Sequence, residues 1–257
     1  MRLFIYIFIF LTFISCVQTK YLNKASDVTG LSYTINLPVV ELDGELNNVR
    51  DSTPIYYYNN LILYQLQYFF DSTYNVYNDT SKSFDMKFAM TERRYKYFIY
   101  KKGDQYGILY NSLSGNIYKK TLTDSVLSHK KGPDNIHSII SDSNYNLTHK
   151  YIGPDKTFYY ESYAYKNKKN SLEVDSINFY YSSSLINFSL SLSPTLDSIF
   201  HSKLTKFKII YNEGYNSVYS VKMPYREYYC EIEKLDTIPK EINLLFTKYE
   251  IDIKNFR

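Results

Sequence analysis

The stretch Ile62 to Phe70 reads Ile-Leu-Tyr-Gln-Leu-Gln-Tyr-Phe-Phe, and shortly after it Phe84 to Met90 reads Phe-Asp-Met-Lys-Phe-Ala-Met. In the first, Ile62, Tyr64, Leu66, Tyr68 and Phe70 recur at every second position. In the second, Phe84, Met86, Phe88 and Met90 alternate with Asp85, Lys87 and Ala89. A repeat of two is the pleat of a β-strand, whose alternate side chains leave on opposite faces, and a helix cannot gather such a set on one side. Both stretches therefore predict strands with one apolar face.

Outward from this pair the same signals continue. Arg94 to Tyr100 and Gln105 to Tyr110 flank Lys101-Lys102-Gly103-Asp104, which predicts a hairpin turning on the glycine. A turn follows at Ser114-Gly115-Asn116, and Thr157 to Tyr165 and Leu172 to Tyr181 flank the polar Lys166 to Asn170 as a second hairpin. Helical spacing emerges late. Ser193-Pro194 has the pattern of an N-cap followed by proline in the first turn, with Leu196, Ile199, Phe200 and Leu204 on one face. Strands are expected around 206–211, 217–223 and 225–233, and after Pro239 the spacing of Ile242, Leu245, Phe246 and Tyr249 predicts a closing amphipathic helix. The class is α+β, a predominantly antiparallel sheet with short helices near the C-terminus.

Residues 31–257 are expected to form a single β-rich domain. Gly-Pro-Asp occurs at 132–134 and again at 153–155 in a stretch rich in turn formers, so a boundary between two lobes, if there is one, falls near residues 130–155. Asp-Ser recurs along the chain, but nothing around it repeats, and no solenoid is expected.

The chain begins Met1-Arg2 and runs into the apolar stretch Leu3 to Ile14, 12 residues long. A permanent membrane span needs about 20 apolar residues, so this is the length of a signal-peptide core and not of a transmembrane helix. The run ends at Phe13-Ile14-Ser15-Cys16, which resembles the lipobox of bacterial lipoproteins, with Phe13 where leucine is usual. The resemblance implies that residues 1–15 are removed, that Cys16 is diacylated, and that residues 16–30 form a lipidated flexible tether. The alternative for the same run is an ordinary secretory signal cleaved a residue or two later. No acidic residue follows Cys16 before Asp27, which by the same resemblance implies an outer-membrane lipoprotein facing the periplasm. The triplets at Asn78, Asn146 and Asn187 would be glycosylation acceptors in a secreted eukaryotic chain.

Without Arg2 the 30 basic residues become 29 against 26 acidic ones, a net charge of +3 that is too small for a nucleic-acid footprint. With Cys16 acylated, Cys230 is left with no partner for an intramolecular disulfide. The 31 tyrosines and 16 phenylalanines, without a tryptophan, accompany an excess of Asn, Lys, Ile and Ser, as AT-biased coding produces. Tyrosine then serves as the ordinary strand residue, its ring buried and its hydroxyl at a polar partner.

For chemistry the chain offers little raw material. His129, His137, His149 and His201 lack the spacing of metal ligands, so no metal site is expected, and no cofactor fingerprint is present. Ser128-His129-Lys130-Lys131 matches Ser-x-x-Lys without its companion motifs and is discarded. Glu231 and Glu233 share one face of a strand, about 6–7 Å apart, a spacing at which paired acids can hydrolyse glycosides. The opposite face carries Tyr228, Cys230 and Ile232, so the simpler reading is an apolar side inward and a charged side in water, with Cys230 buried and inert. Arg93-Arg94 and the Lys166 to Lys169 cluster read as solvated strand ends. No catalytic residue is assigned.

These readings exclude nucleic-acid binding and leave three classes. The first is a non-enzymatic binding or interaction module of the envelope, held to the membrane by its anchor and taking a protein, glycan or apolar ligand. The second is an enzyme whose site is assembled from residues scattered in sequence, and the third a structural or assembly subunit of an envelope complex.

Overall fold

The computed structural model describes residues 28–255 apart from 79–82, 116, 129–135, 137, 139–141, 143, 155, 167 and 169–171, and over 71–78, 83–90 and 117–118 it describes the backbone alone. The signal peptide, Cys16 with its tether up to residue 27, His129, His137 and the first Gly-Pro-Asp lie outside the described residues.

The chain runs through β1 (Thr29–Val40), β2 (Leu46–Tyr58), β3 (Leu61–Asn78), β4 (Ser83–Lys101), β5 (Tyr106–Tyr110), β6 (Ile117–Leu122) and the short helix α1 (Thr123–Leu127). It continues through β7 (Tyr145–Ile152), β8 (Phe158–Tyr165), β9 (Ser176–Ser182), α2 (Pro194–Phe200), β10 (Lys203–Tyr211), β11 (Gly214–Asn216), β12 (Val221–Met223), β13 (Arg226–Lys234) and α3 (Lys240–Asn255). With 54% strand against 18% helix, and antiparallel pairing throughout its registers, the α+β, sheet-dominated class expected from the sequence is the one observed.

By contacts the chain divides into two compact units: the described parts of Met1–Gly30, Pro54–Val126 and Leu235–Arg257 form one, and Leu31–Thr53 with Leu127–Lys234 the other.

In the first unit the strand order is β6-β5-β4-β3 followed by the second half of β2 from Pro54 on, the half before it belonging to the second unit. The β4–β5 hairpin forms as predicted, with Gly103 at φ +92 in its turn and the Asp104 amide donating to the Lys101 carbonyl at 2.9 Å. One face of the sheet presents Tyr56, Leu63, Ile99, Ile108 and Tyr110, against which α3 lays Ile242, Leu245, Phe246 and Tyr249, the set expected from its spacing. The Tyr110 hydroxyl donates to the buried Asp252 carboxylate at 3.1 Å, and Lys248 one turn earlier lies 3.3 Å from the same group. Gly107 is required by close approach: a Cβ there would sit 2.5 Å from the Ile99 carbonyl and 2.6 Å from the Phe98 ring.

The stretch that decides the fold behaves as two halves. Ile62 and Tyr64 are buried, but so is Leu63 on the opposite face, whereas Phe69 and Phe70 are 59% and 43% exposed. The reason is register. β2 pairs with β3 up to Tyr64, β5 pairs with β4 as far as Tyr97, and from there, among the described residues, β3 and β4 pair only with each other as a two-stranded ribbon to the pair Asn78 and Ser83. On that ribbon Arg94 covers the Phe70 ring at 4.1 Å while bonding Glu92 at 2.7 Å, and Lys96 lies 4.6 Å over Tyr68. At Tyr68 and Phe70 the expected apolar row is thus covered by cations instead of a core.

In the second unit the order is β1-β13-β10-β9-β8-β7. One face is apolar, carrying Leu31, Tyr33, Phe207, Phe179, Tyr181, Cys230 and Ile232, all buried. Phe200 of α2 packs 4.6 Å from the Tyr181 ring on this side. α2 opens at the predicted cap, the Ser193 hydroxyl accepting from the Leu196 amide at 3.4 Å. It ends sooner than the spacing implied. His201 adopts the left-handed conformation at φ +48, Leu204 belongs to β10, and Ile199 is 61% exposed. The physical cause is Asp197, whose carboxylate accepts from the Leu204 amide at 2.7 Å and from Ser191 at 2.6 Å while pairing with Lys203 at 2.8 Å, so the chain is drawn out of the helix into the strand. The strand expected over 217–223 is instead the far side of a small hairpin, because the Asn216 side chain accepts from the amides of Val218 and Tyr219 and turns the chain back before β12.

Candidate functional site: a polar groove on β1, β2 and β13

The other face of the second unit is polar. The register sets Tyr229 of β13 opposite Asn36 on one side and Lys208 on the other, and Glu231 opposite Thr34 and Lys206. Charges on adjacent strands then meet across the face: Lys206 Nζ lies 2.8 Å from Glu231 and Lys208 Nζ 2.8 Å from Glu227. Such cross-strand pairs hold side chains upright and parallel on the pleat. Lys206 also sits 4.8 Å over the Tyr229 ring.

At the end of this face that includes Asn36 opens a cavity of about 530 Å³, within the size range of ligand sites. One wall is Asn36 with Leu46, Asn48 and Arg50 of β2; the other is Tyr225, Arg226, Glu227 and Tyr229. Asn36 ties the walls together, its Nδ2 donating to the Glu227 main-chain carbonyl at 3.0 Å and to Asn48 Oδ1 at 3.3 Å. The Arg226 guanidinium lies 4.5 Å over the Tyr211 ring.

The ionisation of this wall follows from its contacts. Burial pushes the Glu227 carboxyl upward, but hydrogen bonds from Lys208 and from the Tyr225 hydroxyl, with the charges of Lys208 and Lys206, outweigh it and hold the group below the usual carboxylate range. Burial opposes the charge on Lys208, and Glu227 overrides it, so the ammonium is held above its ordinary value. Tyr225, partly desolvated and donating to Glu227, is pushed up to about 12. Arg226 is lowered by burial, partly offset by Tyr211. At neutral pH Glu227 is therefore a carboxylate already engaged by the Lys208 ammonium, and Tyr225 beside it is a protonated phenol.

The residues singled out in the sequence are placed as follows. Glu231 is half-buried and paired with Lys206, while Glu233 is exposed on the same face. Cys230 is buried on the opposite face, 3.3 Å from the Tyr228 hydroxyl, and burial pushes its thiol up. His149 is exposed on β7, and His201 is the exposed cap of α2. Arg94 is engaged with Glu92 and Phe70, and Lys168 pairs with Asp175 at 3.0 Å. The structure brings none of these histidines to the groove. Among the described residues there is no group of three or more His, Cys, Asp or Glu able to hold a metal ion, and no helix is long and apolar enough to cross a membrane.

Asn36, Asn48, Arg50, Tyr225, Arg226 and Tyr229 had no motif to announce them, because they come from three separated stretches. The signal that could have found some of them was the alternation already noted at Glu231 and Glu233, which continues backward through Tyr229 to Glu227 along the same face. No protein-family model and no curated protein matches this chain, in keeping with a mature region in which the sequence showed no known family.

Proposed function

We propose that the chain is a non-enzymatic binding module of the bacterial cell envelope, held to the outer membrane on its periplasmic side by acyl chains on Cys16, with the groove of β1, β2 and β13 as its ligand site. The observation that carries this reading is the pre-built wall at Asn36: its amide locks the Glu227 backbone and the Asn48 side chain in place, so polar groups converge on a cavity without having to be ordered by a ligand. Tyr225 and Tyr229 supply ring surface beside those polar groups, a pairing suited to a ligand with both an apolar body and polar substituents.

The position of the groove suits a tethered protein. Eleven residues lie between Cys16 and Val28, so the chain can reach at most about 40 Å from one to the other. Asn36 stands seven residues beyond the start of β1, about 23 to 24 Å along the strand at 3.3–3.4 Å per residue.

Native mass spectrometry of the protein extracted from its own membranes tests this reading. A bound molecule beyond the acyl chains is expected, retained in Phe246→Leu and lost in the double variant Asn36→Ala, Tyr229→Ala. Absence of such a molecule, or its retention in the double variant, would contradict the groove.

One observation favours a second reading, that of an assembly subunit. Beyond Tyr64 and Tyr97 the β3–β4 ribbon has no other paired strand among the described residues, so its backbone edges are open to strand addition. Replacing residues 70–91 with a two-residue turn would abolish a complex formed by that edge and leave ligand binding at the groove unchanged.

A further inference from the structure

We infer that a second cavity, within the second unit, takes the head of an organic ammonium ion, held by the rings of Tyr145, Tyr165 and Tyr211 and by the Asp142 carboxylate. The site is separate from the groove and does not depend on it.

Strand register assembles the aromatic part. Tyr145 opens β7 directly opposite Tyr165, the last residue of β8, and their ring centroids lie 5.2 Å apart with the planes inclined at 59°, a corner instead of a flat wall. The Tyr165 amide donates to the Asp175 carbonyl, and the Asp175 amide donates to that of Ile210, which brings Tyr211 of β10 into the same row. Tyr211 lies four residues beyond Phe207, so it shares the apolar face of the sheet and marks the end of that face. All three tyrosines are half-buried. With Asp142 and Glu173 they line a cavity of about 450 Å³, within the size range of ligand sites.

Asp142 stands in the turn before β7. Its Oδ1 accepts from the Asn144 amide at 2.8 Å and its main-chain carbonyl from the Tyr145 amide at 3.1 Å, so the carboxylate is set in place by the turn. No lysine or arginine pairs with it among the described residues. Lys168 is committed to Asp175 at 3.0 Å, and Arg226 lies against the Tyr211 ring at 4.5 Å, beside the cavity and not in its walls. Burial raises the Tyr145 hydroxyl above its ordinary value, and the Asp142 carboxylate with the phenols of Tyr165 and Tyr211 raises it further, as groups gathered around one space do.

These walls select the sign of the charge. The face of an aromatic ring is its negative part, and Asp142 and Glu173 are carboxylates, so an anion is repelled and a cation is attracted from several sides. Tyr211 already holds a cation in this way, the guanidinium of Arg226. An alkylammonium head matches the rest of the cavity, because its carbon groups pack on the rings while its charge faces them and the carboxylate.

The test is isothermal titration calorimetry of the full chain in a non-ionic detergent at constant ionic strength. The probes are choline, ethanolamine and 3,3-dimethylbutan-1-ol, the neutral isostere of choline. At least one ammonium is expected to bind more tightly than the isostere, with affinity falling roughly fivefold or more in Tyr165→Leu and again in Asp142→Asn, which keeps the Oδ1 acceptor for the Asn144 amide. Tyr229→Ala, in the groove, should leave that affinity unchanged. Choline alone would identify a quaternary head and ethanolamine alone a primary one; either supports the inference. Equal binding of the isostere would overturn the cation and leave an apolar cavity. No ammonium binding at tens of millimolar, or binding that persists in the Asp142→Asn, Tyr165→Leu double variant, would overturn the site, and binding lost in Tyr229→Ala instead would move it to the groove.

Discussion

Lys208 Nζ lies 2.8 Å from the Glu227 carboxylate, and the two residues are not direct partners in the strand register: Lys208 stands opposite Tyr229 and reaches diagonally to Glu227. The pair fixes the wall of the groove and sets its pH behaviour. Glu227 is held below its ordinary value, so its contribution is complete above the unfolded value of about 4.3 and is lost as pH falls through the lower folded value. Lys208 is held above its ordinary value, so its contribution is complete below about 10.4 and is lost only as pH rises through the higher folded value. Stability from this pair should be flat between those limits. Carboxyl-carbon NMR titration should show Glu227 moving upward in Lys208→Met; an unmoved titration would mean that the ammonium does not hold it.

Removing the Phe246 ring from the contact between α3 and its sheet should cost about 3–5 kcal/mol. Tyr110→Phe strips one donor from the buried Asp252 and leaves it Lys248 at 3.3 Å, a loss of roughly 1–3 kcal/mol. Hydrogen exchange should accelerate over 54–126 and 235–255 while 142–234 keeps its protection, as two separate compact units imply.

Two glycines separate strain from crowding. Gly103→Ala meets no atom within 4 Å but must hold φ near +92, and should cost on the order of 1 kcal/mol. Gly107→Ala drives a methyl to 2.5 Å from the Ile99 carbonyl and should cost roughly 1–3 kcal/mol by urea denaturation. Equal costs would refute the distinction.

Alanine at His129, His137, His149 or His201 should leave ligand affinity unchanged, whereas Tyr229→Ala should weaken it. Loss of binding in a histidine variant with an unaltered melting temperature would point to a site elsewhere.

Local pattern made much of this legible. The β4–β5 and β8–β9 hairpins, the Ser193 cap and the buried face of α3 each rest on residues close in sequence, where period and turn chemistry suffice. What escaped was long-range. The exposure of Phe69 and Phe70 depends on how far β2 and β5 extend, and the end of α2 depends on the carboxylate of Asp197 reaching the Leu204 amide. The groove is of the same kind: Asn36 and Glu227 are joined by a hydrogen bond across 191 residues, and no local motif foreshadows it.

The measurement that bears most directly on the tethered module is intact mass spectrometry of the mature protein from membranes. A chain beginning at Cys16, carrying the mass of its acyl groups and released into the soluble fraction by Cys16→Ala, is the expected result. A mature chain beginning at Val17 with a free amino group, or one retained on membranes after Cys16→Ala, would contradict it.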